Sequence, residues 1–227
     1  MQNLNQSKDQ RQSTVSNQVT LRCPYCGKER TVTTDKYPPG SYAGECSDCE
    51  RVRREKHFLS LCPKLYQESA PDRLPASQLK EAMEWQYGPR GLILSGETGV
   101  GKSRIAWLLL RRILVSDKRN PSFAWFDAVG FGHAIGKHYR DEDAEEWLED
   151  TAKTELLFFD DLGKLKLTER AETELFGLIE RRCGAELPII ATTNDTGDSL
   201  ASRMTDNRGP ALIRRLRQFC QIIQFGQ

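Results

Sequence analysis

Residues 96–103 read Gly96-Glu97-Thr98-Gly99-Val100-Gly101-Lys102-Ser103, which fits G-x-x-x-x-G-K-[ST]. An apolar run precedes this string and a helical pattern follows it. Glycines let the backbone wrap closely and turn its N–H groups toward phosphate oxygens. A helix starting near Lys102 adds the positive end of its dipole. The Lys102 ammonium is placed to reach β- and γ-phosphates, and the Ser103 hydroxyl to ligate Mg²⁺. ATP with Mg²⁺ is therefore the expected ligand of Gly96 to Ser103. A strand, a tight loop and a helix in this order also predict a parallel sheet with a crevice at the carboxyl ends of its strands.

The rest of the chain fits that sheet. Strands are expected over residues 91–95, 122–126, 156–160, 189–193 and 221–225, and helices over 76–85, 102–115, 128–139, 144–151 and 168–183. Ala171, Leu175, Leu178 and Ile179 share one face of the last helix, with Gly184 expected as its cap and Arg181-Arg182 as charge favouring the dipole. Strands alternating with helices predict an α/β fold.

Two further strand ends carry chemistry. The run 156–159, Leu-Leu-Phe-Phe, ends in Asp160-Asp161. Alone, such an acid pair also opens a solvated loop. Downstream of a phosphate loop, Asp160 suits the Mg²⁺ shell, and Asp161 is placed to polarise an attacking water. The run 189–193 ends in Asn194, whose amide can hydrogen-bond that water or the γ-phosphate. Asn194-Asp195 is also good turn chemistry.

In this order, phosphate loop, Phe-Phe-Asp-Asp-Leu-Gly and Ala-Thr-Thr-Asn, the chain resembles the AAA+ ATPases. Within them it is most similar to the DnaC, DnaI and IstB-like helicase-loader family. The resemblance covers residues 62–225. It implies a P-loop NTPase domain with a parallel sheet flanked by helices. It also implies no C-terminal lid, since little chain follows Arg215. The segment 211–217 resembles the one that carries the family's arginine finger. By that match Arg215 serves the ATP of a neighbouring subunit, with Arg214, Arg208 and Arg203 as competitors. Asp-Asp stands where the wider group has Asp-Glu, which implies slow, partner-stimulated turnover.

Cys23, Cys26, Cys46 and Cys49 form two C-x₂-C pairs at the spacing of a structural zinc site. A segment this short has little core, so Zn²⁺ is expected to dominate its stability. Cys62, Cys183 and Cys220 read as packing thiols. His57 is not needed, because four cysteines already fill the site. In the resembling loaders a zinc-bearing N-terminal module docks on the replicative helicase.

The expected organisation is a disordered tail over 1–18, a zinc module over 19–57, a linker over 58–75 and the ATPase domain over 76–227. The tail has no apolar signal region, and the longest apolar run, residues 105–110, is far too short to span a membrane. A cytoplasmic protein with no membrane partner is expected. With 33 basic and 32 acidic residues, global charge does not select a nucleic-acid partner.

The resemblance implies a replication ATPase acting on a replicative helicase and single-stranded DNA, with ATP favouring homo-oligomers. The alternatives are an IstB-like transposition ATPase, a small-molecule kinase, or a module that binds ATP without hydrolysing it. The C-terminal arginines count against the kinase, which needs no arginine from a neighbour.

Overall fold

A computed structural model of the chain describes residues 18–33, 44–117, 119–164, 168–202 and 208–226. The chain divides into two compact units, Met1–Arg54 and Glu55–Gln227. Of the expected tail, residues 1–17 lie outside the described residues, and Gln18 is already the first residue of β1.

In the first unit, β1 (Gln18–Arg22) pairs antiparallel with β2 (Glu29–Thr33). Cys23 opens the connection. Its N–H bonds Lys28 O at 2.9 Å, and Gly27 supplies the left-handed turn residue, φ 72°. Helix α1 (Ser47–Leu61) starts directly after Cys46, and the boundary between the units falls within it. Among the described residues of this unit, only Cys23 and Cys46 are buried. Its core is therefore sulfur rather than hydrocarbon.

The second unit is built on a five-stranded parallel sheet in the order β4-β5-β6-β3-β7. The strands are β3 (Gly91–Gly96), β4 (Phe123–Asp127), β5 (Leu156–Asp160), β6 (Ile189–Thr193) and β7 (Cys220–Phe225). Each lies within one or two residues of its expected span. The central strands are almost continuously apolar because helices cover both faces. Side chains alternate between those faces. Leu92, Leu94, Phe158, Ile190 and Ile223 join a cluster with α3 (Ala76–Glu84) and α4 (Lys102–Arg111). Ile93, Leu157, Phe159, Ile189 and Ala191 join the opposite cluster. That second cluster is completed by α5 (Ala128–Arg140), α6 (Ala144–Lys153), α7 (Glu169–Gly184), α8 (Gly197–Ser202) and α9 (Arg208–Phe219).

Trp107 of α4 is 1% exposed and anchors the first face. Trp125 and Phe158 meet it edge-on at 5.2 and 5.4 Å, and Tyr66 of the short helix α2 (Lys64–Gln67) stacks on it at 6.4 Å. The stretch 58–75, expected as a linker, contributes more than a connection: Phe58 and Cys62 are buried in this same cluster. Phe58 sits on the last turn of α1, and Cys62 follows directly after it.

Two helix ends differ from expectation. Residues 102–115 are not one α-helix, because Arg112–Ser116 continue α4 as a π-helical turn. There the Arg112 guanidinium bonds Met83 O and Trp85 O at the end of α3. Helix α7 runs through Gly184, so the cap falls on Ala185 and the positive φ, 54°, on Glu186. Arg182 is no surface charge for the helix dipole: it is fully buried. Its guanidinium donates to Thr151 O, Ala152 O, Thr154 O and Pro188 O at 2.6–3.2 Å, tying the end of α6 to the entry of β6. Desolvation pulls its pKa down to about 10, so it remains charged at neutral pH.

Candidate functional site

The phosphate loop joins β3 to α4 at the carboxyl edge of the sheet. Gly96 has φ 152°, and a Cβ there would sit 2.3 Å from Phe225 O of the neighbouring strand. Gly101 precedes α4 with φ 97°, where a Cβ would meet the Leu74 side chain at 2.9 Å. At Gly96 the neighbouring backbone leaves no room for a side chain, and at Gly101 the positive φ strains any residue with a Cβ. The first helical residue is Lys102, only 6% exposed.

The strand order sets what Lys102 meets. Strand β6 lies between β3 and β5, so Asn194, just past its end, stands between the phosphate loop and the acid pair. Lys102 Nζ donates to Gly96 O at 2.8 Å, Glu97 O at 2.6 Å and Asn194 Oδ1 at 2.7 Å. Asn194 Nδ2 donates to Asp161 Oδ1 at 2.7 Å. Ser103 Oγ donates to Asp160 Oδ1 at 2.7 Å. Asp160 is buried at the end of β5, and Asp161 turns out of the strand in a left-handed conformation, φ 65°. That conformation costs about 1–2 kcal/mol for a residue with a Cβ. Lys102, Ser103, Asp160, Asp161 and Asn194 thus stand at one carboxyl edge.

Thr98, Lys102, Ser103, Arg104, Asp161 and Asn194 line a 240 Å³ cavity together with Tyr66. A second cavity of 470 Å³ shares Gly99, Gly101 and Arg104 with it and continues along Lys64, Leu65, Ala70, Arg73 and Leu74. Sequence reasoning missed both Tyr66 and this second lining, because nothing local in residues 64–74 signals a site. Burial, then the Asp160 charge, pushes the Tyr66 phenol up, while the Ser103 hydroxyl pulls it down. Thr192, also missed, bonds both acids; the visible signal was two threonines ending an otherwise apolar strand.

Arg215 is not part of this network. Its Nε and Nη2 donate to the two carboxylate oxygens of Glu180 on α7, each at 2.8 Å. This bidentate pair holds the Glu180 carboxyl below its usual range. Of the competing arginines, Arg214 is exposed, Arg208 is half-buried, and Arg203 lies outside the described residues.

In the first unit the sulfurs of Cys23, Cys26, Cys46 and Cys49 all lie within 4.8 Å of one another. Cys23–Cys49 and Cys26–Cys46 are 3.9 and 3.6 Å apart. A tetrahedron with Zn–S bonds of ~2.3 Å has edges of ~3.8 Å, whereas a disulfide needs ~2.05 Å. Four sulfurs gathered this way can hold a metal ion. The Cys46 N–H, 3.4 Å from Cys23 Sγ, helps lower the Cys23 thiol to about 6, whereas the hydrogen bond with Cys26 and burial push the Cys49 thiol up. His57 is exposed and no member of the cluster.

The five-stranded parallel sheet, the phosphate loop and the acid pair define a P-loop protein of the AAA+ fold. Residues 65–227 match the family model for the IstB-like ATP binding protein. The chain belongs to that family. Among solved structures it is similar to the DnaC helicase loader, with TM-score 0.60 and 18% identity over 72% of this chain and 100% of that one. It is also similar to DnaI, with TM-score 0.55 and 20% identity over 77% and 97%. An AMPPCP-bound DnaA from Aquifex aeolicus matches with TM-score 0.54 and 21% identity over 69% of this chain and 47% of that one. The chain thus spans about half the length of the AMPPCP-bound DnaA structures it matches. No curated relative matches the chain. Among the described residues, no helix is long and apolar enough to cross a membrane.

Proposed function

We propose that this chain is an Mg²⁺-dependent ATPase of the helicase-loader type, in which ATP biases assembly with a replicative helicase and single-stranded DNA. The observation that carries the ATPase part is the contact of Asn194 with both Lys102 and Asp161, beside the Ser103–Asp160 pair. One edge thereby holds a cation for phosphate oxygens, a hydroxyl–carboxylate pair for a metal, and a second carboxylate for a water.

The roles follow from the chemistry. Backbone N–H groups from Gly96 through Gly101, with Glu97, Thr98, Gly99 and Val100 between them, cradle the phosphates. Lys102 neutralises the β- and γ-oxygens. Ser103 and Asp160 would hold Mg²⁺, which supplies charge neutralisation on the phosphates. Asp161 accepts the proton of the attacking water, and Asn194 orients the γ-phosphate or that water. Arg215 acts on the nucleotide of a second copy, where an arginine in trans is worth ~10³–10⁵ in rate. The bidentate hold of Glu180 keeps its guanidinium in a defined orientation.

We assign the four-cysteine centre to structural Zn²⁺ on its sulfur spacing. Metal analysis of the purified chain is expected to return one zinc per molecule. Chelation should make the N-terminal unit protease-sensitive while leaving ATP binding by residues 55–227 in place. A metal-free protein whose N-terminal unit resists protease equally well would contradict the assignment.

A second reading, an IstB-like transposition ATPase, is favoured by the family model. The two readings share their ATPase residues and differ in partner. Size-exclusion chromatography with the host's replicative helicase, with and without MgATP, separates them. The loader reading predicts ATP-dependent co-elution. No complex in either condition overturns that reading and makes a transposase the partner to try.

A further inference from the structure

We propose that Thr192 is a positioning residue that gives the two adjacent carboxylates their separate roles; this rests on the ATPase reading above. The backbone ladder between β5 and β6 ends at Phe159↔Ala191. The next residues, Asp160 and Thr192, meet through their side chains instead: Thr192 Oγ1 donates to Asp160 Oδ1 at 2.7 Å. By the alternation of the strands, both lie on the α4 face, which also carries Ser103.

A threonine hydroxyl has one proton and two lone pairs. An ionised Asp160 can only accept, so it takes that proton. A lone pair of the hydroxyl is then left for the Asp161 N–H, which donates to it at 2.8 Å. One buried hydroxyl, on a residue 1% exposed, thereby touches both acids with opposite polarity.

Each bond has a consequence. Asp160 Oδ1 accepts from both Thr192 and Ser103, so the carboxylate is held by one oxygen and cannot rotate freely. The bond to the Asp161 N–H secures that residue at φ 65°, the conformation from which its carboxylate meets Asn194. Without the hydroxyl, Asp161 loses its backbone anchor and Asp160 loses one of its two donors. Misplacing a reacting group by about 1 Å can cost about 10²-fold in rate.

The test uses the full chain with Thr192→Val, which keeps the branched shape, and Thr192→Ser, which keeps the hydroxyl. Single-turnover ATP hydrolysis, ATP affinity and Mg²⁺ dependence are measured for each. Thr192→Val is expected to bind ATP within a few-fold of wild type, to hydrolyse it about 10- to 100-fold more slowly, and to need more Mg²⁺. Thr192→Ser is expected to stay within a few-fold of wild type in all three. Wild-type turnover in Thr192→Val overturns the proposal. So does a Thr192→Ser variant as slow as Thr192→Val, because shape rather than the hydroxyl would then matter. A wild-type chain that binds MgATP without hydrolysing it would instead sink the ATPase reading. The Mg²⁺ titration then decides on Thr192 alone: an unchanged requirement in Thr192→Val overturns its role, and a raised one supports it.

Discussion

Lys102→Ala is expected to weaken MgATP binding by about 10- to 100-fold, the equivalent of ~1.5–3 kcal/mol for hydrogen bonds to a charged group. Its ammonium is gathered by Gly96 O, Glu97 O and Asn194 Oδ1, all within 2.8 Å, at the mouth of the loop. Alanine removes the charge and also unties the loop from Asn194. Titration with a fluorescent ATP analogue checks this; equal affinity in the variant and wild type would remove Lys102 from the site.

The second large effect is on chemistry rather than binding. Asp161→Asn is expected to leave ATP affinity within a few-fold and to slow hydrolysis by about 10²–10⁴-fold, the usual worth of a positioned general base. The substitution is unusually clean here. Asparagine tolerates the left-handed backbone that Asp161 adopts, so no new strain enters. Its side-chain oxygen can still accept from Asn194 Nδ2. Only the charge and basicity are lost. Unchanged turnover would move the water-activating role to another residue.

Much of this architecture was legible because it is written locally. Strands β4, β5 and β6 are apolar runs that end in polar residues, and the phosphate loop announces itself in eight consecutive positions. What the sequence could not show is how distant positions meet. Ser103 and Asp160 are 57 residues apart, and Lys102 and Asn194 are 92 apart; their contacts depend on β6 lying between β3 and β5. Chain order places β6 after both, so periodicity alone does not reveal it.

The same reason hid Thr192, whose chemistry exists only across the β5–β6 boundary. It hid Arg182 too, since an arginine near a helix end looks solvated until the carbonyls of Thr151, Ala152, Thr154 and Pro188 surround it. Residues 58–75 read as a connection because of their three prolines, although Phe58, at the end of α1, and Cys62 stand one helical turn apart in the core. The cysteine centre was the opposite case. Its spacing alone pointed to four candidate ligands, and the fold brings their sulfurs within 4.8 Å of one another, two pairs at 3.9 and 3.6 Å.

The most direct test of the account is single-turnover conversion of bound ATP to ADP by the purified full chain with Mg²⁺, run beside Asp161→Asn. Wild type is expected to convert its bound ATP, however slowly, while Asp161→Asn retains it at least about a hundredfold longer. ATP left intact by wild type over many hours, or equal rates in the two proteins, would contradict it.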